Sequence, residues 1–254
     1  MNPDITSRLN GVRERIAGAA LRAGRPPSSV HLIAVSKTIP VDVVRAAAAA
    51  GQIDFGENKV QEGQAKILAA GTLPLRWHLI GHLQSNKAKK AAAVFDVIHS
   101  IDSIDLLRKV DAAAAEHRRT IDVLIQVDLA SEPTKHGAPE ADVPDIVDAA
   151  RSCHSARLKG LMLLPPTVDD PADAAPYFAA LRELRDGYVR LGVPASMLEQ
   201  LSMGMSHDFE VAVEQGATWV RVGSAIFGPR SASPAGSGRR AGSDSSRNGV
   251  EKMK

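Results

Sequence analysis

Eight short apolar segments alternate with segments of helical periodicity along this chain. Each is a nearly continuous apolar run, which is typical of parallel strands buried on both faces of a sheet. Between them, apolar residues recur at helical spacing. The apolar segments lie at residues 30–35, 53–55, 77–80, 97–99, 121–127, 158–164, 200–203 and 218–222. This order of elements predicts a core built from parallel β/α units.

Eight such units within about 200 residues predict an α/β fold, a single (β/α)8 TIM barrel. An additional helix at residues 4–23 precedes the first strand. The alternative is an open, doubly wound sheet, but the turn after the first strand reads SKTIP and lacks the glycine-rich fingerprint of that fold. We place the barrel in residues 1–230 and expect the Ser/Gly/Arg-rich residues 231–254 to form a disordered tail.

The charge of the chain argues against a nucleic-acid partner. The net charge of 254 residues is +2; the tail has five Lys or Arg and two Asp or Glu, hence +3, which leaves −1 for residues 1–230. A nearly neutral body lacks the basic excess of nucleic-acid-binding proteins. No apolar stretch reaches the ~18 residues of a membrane span, and the charged start is unlike a signal peptide. With a single cysteine, we expect a cytoplasmic protein without disulfides.

In a barrel, functional residues collect at the carboxyl ends of the strands. The sharpest candidate there is Lys37, which directly follows the first predicted strand. Burial in an apolar barrel mouth disfavours the charged ammonium and favours the free amine that a Schiff base needs. The alternative is a lysine that extends to the rim or pairs with a carboxylate. Its position alone leaves both interpretations open.

Two glycine- and serine-rich loops, SMGMS and RVGSAIFG, follow the last two predicted strands. Barrels often bind phosphate at this place, through backbone N–H groups and the N-terminus of a short helix. Ser202, Ser206, Gly223 and Ser224 are therefore candidate phosphate-site residues. The alternative is a pair of ordinary turns, with Ser206 capping the next helix. A lysine for an aldehyde together with a phosphate site predicts pyridoxal 5'-phosphate (PLP) as the cofactor.

Further polar residues follow the strands. An inward Arg221 would disfavour a proton on the pyridine nitrogen and weaken the cofactor as an electron sink, whereas its alternative is a salt bridge. Asn58 can hydrogen-bond the phenolic oxygen of the cofactor or cap a helix. His82 and His207 are weaker candidates for acid–base groups. Since no set of His, Asp and Glu has metal-ligand spacing, we predict no metal site.

The motifs LIAVSKTIP, FGENKVQE, WHLIGHLQSNK, SIDS, GLMLLPP and LSMGMSHDFEVAVEQGATWVRVGSAIFG occur in this order over about residues 5–228. With them the chain resembles the pyridoxal-phosphate homeostasis proteins, the YggS/PROSC family. The resemblance implies the barrel of the alanine racemase N-terminal domain, PLP on Lys37, no established catalysis, and a role in amino- and keto-acid balance. It also implies cofactor contacts from Asn58 beside the ring, Arg221 near the pyridine nitrogen, and Ser206, Gly223 and Ser224 around the phosphate.

The residues favour a binding protein over an enzyme. A two-base racemase needs a second acid–base group opposite the lysine, and the only tyrosines, Tyr177 and Tyr188, lie on a predicted outer helix. The leading hypothesis is a protein that holds PLP as an internal aldimine on Lys37 and buffers it or delivers it to PLP-dependent apo-enzymes. The alternatives are a racemase-like PLP enzyme with His82 or water as second base, and a lysine Schiff-base aldolase for a sugar phosphate. Without a covering domain or an aromatic stripe, we expect a monomer.

Overall fold

The computed structural model describes residues 4–130 and 136–228, so the predicted tail at 231–254 lies outside the described residues. The strands are β1 (His31–Val35), β2 (Asp54–Glu57), β3 (Arg76–Leu79), β4 (Val97–Ile101), β5 (Ile121–Asp128), β6 (Ala138–Pro139), β7 (Ala156–Leu163), β8 (Gln200–Met205) and β9 (Trp219–Val222). The helices are α1 (Ile5–Arg22), α2 (Val41–Ala49), α3 (Val60–Ala70), α4 (Ala88–Val94), α5 (Ile104–Glu116), α6 (Val143–Ala150), α7 (Ala175–Arg190), α8 (Phe209–Glu214) and α9 (Ser224–Phe227).

Eight of these strands form a closed ring of parallel pairs in the order β1, β2, β3, β4, β5, β7, β8, β9. The ring closes because β9 pairs with β1, and β4 pairs with β5. The two-residue β6 only extends the ring at the end of β5. The predicted (β/α)8 barrel is therefore confirmed, and the open doubly wound sheet is wrong.

Helix α1 covers the place where the ring closes. Its buried residues Leu9, Val12 and Ile16 recur every three or four positions, so one apolar face packs against α8 and α9. On the exposed side, Arg22 pairs with Glu214 of α8 at 2.7 Å. The first helix thus joins the last two helices of the fold, as expected for the extra helix that precedes a barrel.

Two groups of buried side chains fill the molecule. The larger lies between the strands and the helices and is mostly aliphatic. The smaller lies inside the ring and consists of Ile33, Val97, Leu124, Met162 and Trp219. Side chains two residues apart on a strand share a face. Trp219 faces the lumen, so Arg221, two positions further along β9, faces the lumen as well.

Two local features differ from the sequence-based expectation. The helical periodicity of the sequence predicts a helix over residues 172–191, but residues 171–174 form a 3-10 turn. Pro176 is tolerated only in the first turn of a helix, since it has no N–H to donate, and α7 accordingly begins at Ala175. Strand β6 was not predicted, because two residues carry no periodicity. None of the helices within residues 4–130 and 136–228 has the length and apolar character needed to cross a membrane.

Candidate functional site

A cavity of about 540 Å³ opens at the carboxyl ends of the strands. That volume is within the usual range of small-molecule sites, about 300–1,000 Å³. The structure brings six of the seven predicted site residues together in its wall: Lys37, Asn58, Ser206, Arg221, Gly223 and Ser224. The seventh, Ser202, is fully buried beneath the cavity and does not line it.

The Lys37 side chain lines the cavity from a tight turn after β1. The turn closes where the Ile39 N–H donates to the Ser36 carbonyl at 2.9 Å. Thr38 adopts a φ of 64°, in the left-handed region that β-branched residues seldom occupy. Its backbone N–H donates to the Glu62 carboxylate. A constrained backbone therefore presents Lys37 to the cavity.

A buried ion pair supports this turn from below. Lys66 of α3 lies 2.6 Å from Glu57 of β2, and the Lys66 ammonium also donates to the Ser36 carbonyl at 2.6 Å. The Ser36 hydroxyl donates to the same Glu57 oxygen, Oε1, at 2.6 Å. Burial raises the pKa of Glu57 in spite of these hydrogen bonds. We call Ser36, Glu57 and Lys66 the anchor cluster, because they fix the residue that precedes Lys37.

The two glycine- and serine-rich loops are joined to each other. The Ser206 hydroxyl accepts a hydrogen bond from the Gly223 N–H at 3.1 Å. It does not cap α8, whose N-cap residue is Asp208. Ser224, the first residue of the short helix α9, is exposed at the cavity wall. Hydroxyl groups and a helix N-terminus thus converge at one end of the cavity.

Gly204, in the first of these loops, serves packing. It lies at an irregularity in the pairing of β8 with β9 and has a φ of 90°. A Cβ atom there would lie 2.5 Å from the Cβ of Ala212, closer than packed side chains can approach. The absence of a side chain at Gly204 therefore allows α8 to pack directly against the strand.

Asn58, which follows β2, is held in the cavity wall by close packing of two loops. A Cβ atom at Gly81 would lie only 2.2 Å from the Asn58 carbonyl oxygen, so the backbone of one loop rests on the other. The N-cap residue of α3 is Lys59, and the helix has no side-chain cap. Asn58 therefore does not cap α3, and its side chain lines the cavity.

Arg221 is buried in the cavity wall, with only 3% of its surface exposed. Its Nη1 donates to the Ser202 hydroxyl at 2.6 Å and its Nη2 to the Leu163 carbonyl at 2.8 Å. These partners are neutral, so no carboxylate within residues 4–130 and 136–228 holds the guanidinium in a salt bridge. Burial lowers the pKa of Arg221 to about 10, which still leaves it positively charged at neutral pH.

Four further polar side chains line the mouth of the cavity. The His82 and His136 rings stack with centroids 3.6 Å apart, and His82 Nδ1 is 3.6 Å from an Asp102 carboxylate oxygen. Burial and the neighbouring His136 lower the pKa of His82. Gln126 donates to the His136 carbonyl. Gln126 was not predicted, although a glutamine at the end of an apolar strand was a usable signal. His207 also lines the cavity.

Comparisons with known proteins agree with this geometry. Residues 9–231 match the family model for the alanine racemase N-terminal domain. The pyridoxal phosphate homeostasis protein of Aquifex aeolicus is 42% identical over 223 residues, which cover 88% of this chain and 97% of that protein. PipY of Synechococcus elongatus PCC7942, in a structure with PLP bound, is 40% identical with a TM-score of 0.74 and covers 89% of this chain and 100% of PipY.

A more distant likeness concerns the fold alone. Alanine racemase of Clostridium difficile 630 is 15% identical, with a TM-score of 0.69 over 90% of this chain and 57% of the racemase. The family assignment rests on the match to the family model and on the sequence identity to relatives that are covered over almost their whole length. The chain belongs to the pyridoxal phosphate homeostasis protein family, built on the alanine racemase N-terminal domain.

Proposed function

We propose that this protein binds PLP through a covalent bond to Lys37 and holds it in a releasable form, as a buffer or a donor for PLP-dependent apo-enzymes. One observation carries the proposal: Lys37 and the two joined serine loops line the same cavity. The relatives support it, since the PipY structure contains PLP and the Aquifex aeolicus protein is named for PLP homeostasis.

The residues in the wall fit the chemistry of this cofactor. PLP supplies an aldehyde that a lysine amine captures and a ring that withdraws electrons. Lys37 provides the amine. Ser206, Ser224 and the N-terminus of α9 provide donors for a phosphate. Arg221 keeps a positive charge beside the cavity, and this disfavours a proton on a ring nitrogen that faces it.

The same wall supports storage better than racemisation. A racemase needs a second acid–base group opposite the lysine, and both tyrosines lie on α7, outside the cavity wall. Among the described residues of the wall, the remaining candidates are the histidines His82, His136 and His207. Racemase-like activity would appear as exchange of the amino-acid α-hydrogen for deuterium, lost in Lys37→Ala. We expect no exchange at enzyme-like rates.

The visible absorbance of the protein mixed with PLP tests the proposal. We expect a yellow band that collapses on borohydride reduction, with the pyridoxyl-phosphate mass on the peptide that contains Lys37. A protein that gains neither colour nor mass would contradict the proposal. A sugar-phosphate aldolase with a substrate-binding lysine would then be the better hypothesis, because such an enzyme is colourless as purified.

The phosphate site predicts a separate loss of affinity. Each hydrogen bond to a charged group contributes roughly 1.5–3 kcal/mol, so Ser206→Ala with Ser224→Ala should raise the PLP dissociation constant by about 100-fold or more. Lys37 should still take up the pyridoxyl mass at saturating PLP. Ser152→Ala is the matched control, since this exposed hydroxyl donates to the carbonyl of Ala149 away from the cavity. An unchanged dissociation constant in the double variant would show that phosphate binds elsewhere.

A further inference from the structure

A continuous chain of hydrogen bonds crosses the barrel lumen beneath the cavity. It connects side chains from β9, β8, β4, β3 and β2, and we call it the lumen chain. Its four contacts measure 2.6, 2.9, 2.9 and 2.8 Å in order. Its members are Arg221, Ser202, His99, His78 and Asp54, and all are buried.

The far end of the chain is a carboxylate. Asp54 also accepts a hydrogen bond from Arg76. Burial opposes its charged form, but the hydrogen bonds from His78 and Arg76 outweigh this and lower the pKa of Asp54 to about 2. An ionised carboxylate can only accept, so His78 must carry its proton on Nε2. Asp54 lies at the amino-terminal end of β2 and lines no part of the cavity.

The proton positions in the rest of the lumen chain follow from the ionised carboxylate at its Asp54 end. Burial lowers the pKa of His78 and of His99, so each ring carries one proton at neutral pH. With its proton on Nε2, His78 accepts at Nδ1 from the His99 Nε2–H. His99 Nδ1 then accepts from the Ser202 hydroxyl, whose oxygen accepts from Arg221. Every donor therefore points away from the cavity and toward Asp54.

Neither packing nor metal binding accounts for this arrangement. An apolar lumen of the same volume would avoid the cost of burying five polar side chains. Within residues 4–130 and 136–228, no group of three or more His, Cys, Asp and Glu is placed to hold a metal ion. The lumen chain reaches the cavity only through Arg221. This buried cation donates to two neutral acceptors among the described residues, the Ser202 hydroxyl and the Leu163 carbonyl.

We propose that Ser202, His99 and His78 are positioning residues that hold the Arg221 guanidinium in a fixed orientation at the cavity, with Asp54 setting the direction of their hydrogen bonds. The inference deepens the proposed function and rests on it for the identity of the ligand that Arg221 faces. It assigns a role to residues that lie in the lumen and do not line the cavity.

The chemical shifts of the histidine ring nitrogens, measured in the PLP-free protein, test the hydrogen-bond directions of the lumen chain without any ligand. We expect nitrogen-15 NMR at pH 7.5 to show His78 and His99 protonated on Nε2 alone. The Arg221 side-chain protons should exchange slowly with water, and should exchange faster in Ser202→Ala. A proton on Nδ1 of either ring, or unchanged exchange in Ser202→Ala, would overturn the inference.

Variants of the lumen chain then test whether it affects PLP binding. We expect Ser202→Ala and His99→Leu to raise the PLP dissociation constant by about tenfold or more and to shift the pH midpoint of the visible band. Trp219→Phe is the matched control. The Trp219 ring lies 5.1 Å from both histidine rings but outside the hydrogen-bond chain, so it perturbs the same core without breaking a link. Ser202→Ala removes a single oxygen atom and keeps the test valid if His99→Leu does not fold.

The outcomes separate this inference from the proposed function. If the unmodified protein binds PLP while both variants match Trp219→Phe in affinity and band midpoint, the lumen chain has no positioning role and the proposed function stands. If the unmodified protein takes up no PLP, the proposed function fails, and the two ligand-free measurements, the ring nitrogen shifts and the exchange of the Arg221 protons, decide whether the lumen chain holds this side chain.

Discussion

Replacing Lys66 with methionine is expected to lower the free energy of unfolding by about 3–5 kcal/mol, the usual cost of removing one partner of a buried ion pair. The Glu57 side chain is fully buried, and its Oε2 atom receives no hydrogen bond from the described residues. Without Lys66, the negative charge of the buried Glu57 carboxylate is uncompensated. Chemical denaturation followed by circular dichroism measures the loss.

The pH dependence of this loss identifies its cause. In the variant, the folded-state pKa of Glu57 rises further above the ordinary value of 4.5, because a lowering contribution is gone. A carboxyl with a raised folded-state pKa favours folding when protonated, so its penalty grows as pH rises from about 4.5 through the folded-state pKa. The deficit should therefore be smaller at pH 5 than at pH 8.

A surface lysine provides the control for this variant. Lys109 of α5 pairs with Asp105 at 2.6 Å, but both side chains are half exposed or more. Lys109→Met should change the unfolding free energy by about 0.5 kcal/mol or less. Because the Lys66 ammonium also holds the Ser36 carbonyl, Lys66→Met should also slow PLP capture by Lys37. Equal losses in the two variants would contradict a special role for the anchor cluster.

Lys37→Ala should abolish the visible band and the borohydride-fixed mass while leaving a folded protein. The side chain is half buried at the cavity wall, so we expect a stability change of about 1 kcal/mol or less. The serine loops remain, and weak PLP binding should persist and respond to added inorganic phosphate. Equilibrium dialysis with radiolabelled PLP measures this residual binding.

Lys59→Ala is the matched control, since this exposed lysine lies beside Asn58 but does not line the cavity. It should retain both the band and the mass. If Lys37→Ala still acquires a borohydride-fixed mass, the covalent anchor is another lysine. If it loses all PLP binding, the phosphate site contributes little without the covalent bond.

The barrel and the cavity were predictable because their signals are local. Each strand is a short apolar run, and residues that follow such runs meet at one end of a parallel barrel. Position therefore predicted that Lys37, Asn58 and the serine loops lie at the same end. The lumen chain was not predictable in this way. His78 and His99 are separated along the chain from Ser202, and only closure of the ring places them across the lumen from it.

Ser202 shows where the rule for strand ends fails. It belongs to the same motif as Ser206 and was assigned to the phosphate site on that ground. In the structure, β8 continues to Met205, so Ser202 lies within the strand and faces the lumen. Side-chain direction depends on where the strand ends, and a glycine-containing run of this kind does not define that end.

The pairing of β1 with β9 also has a consequence for the synthesis of the protein on the ribosome. His31 pairs with Trp219, so 219 − 31 = 188 residues separate the partners. At about 5–20 residues per second, a ribosome needs roughly 10–40 s to make the intervening chain. For that time one edge of β1 has no partner in the nascent chain and presents free backbone groups to other polypeptides. The growing chain is therefore exposed to aggregation at the strand that leads directly into Lys37.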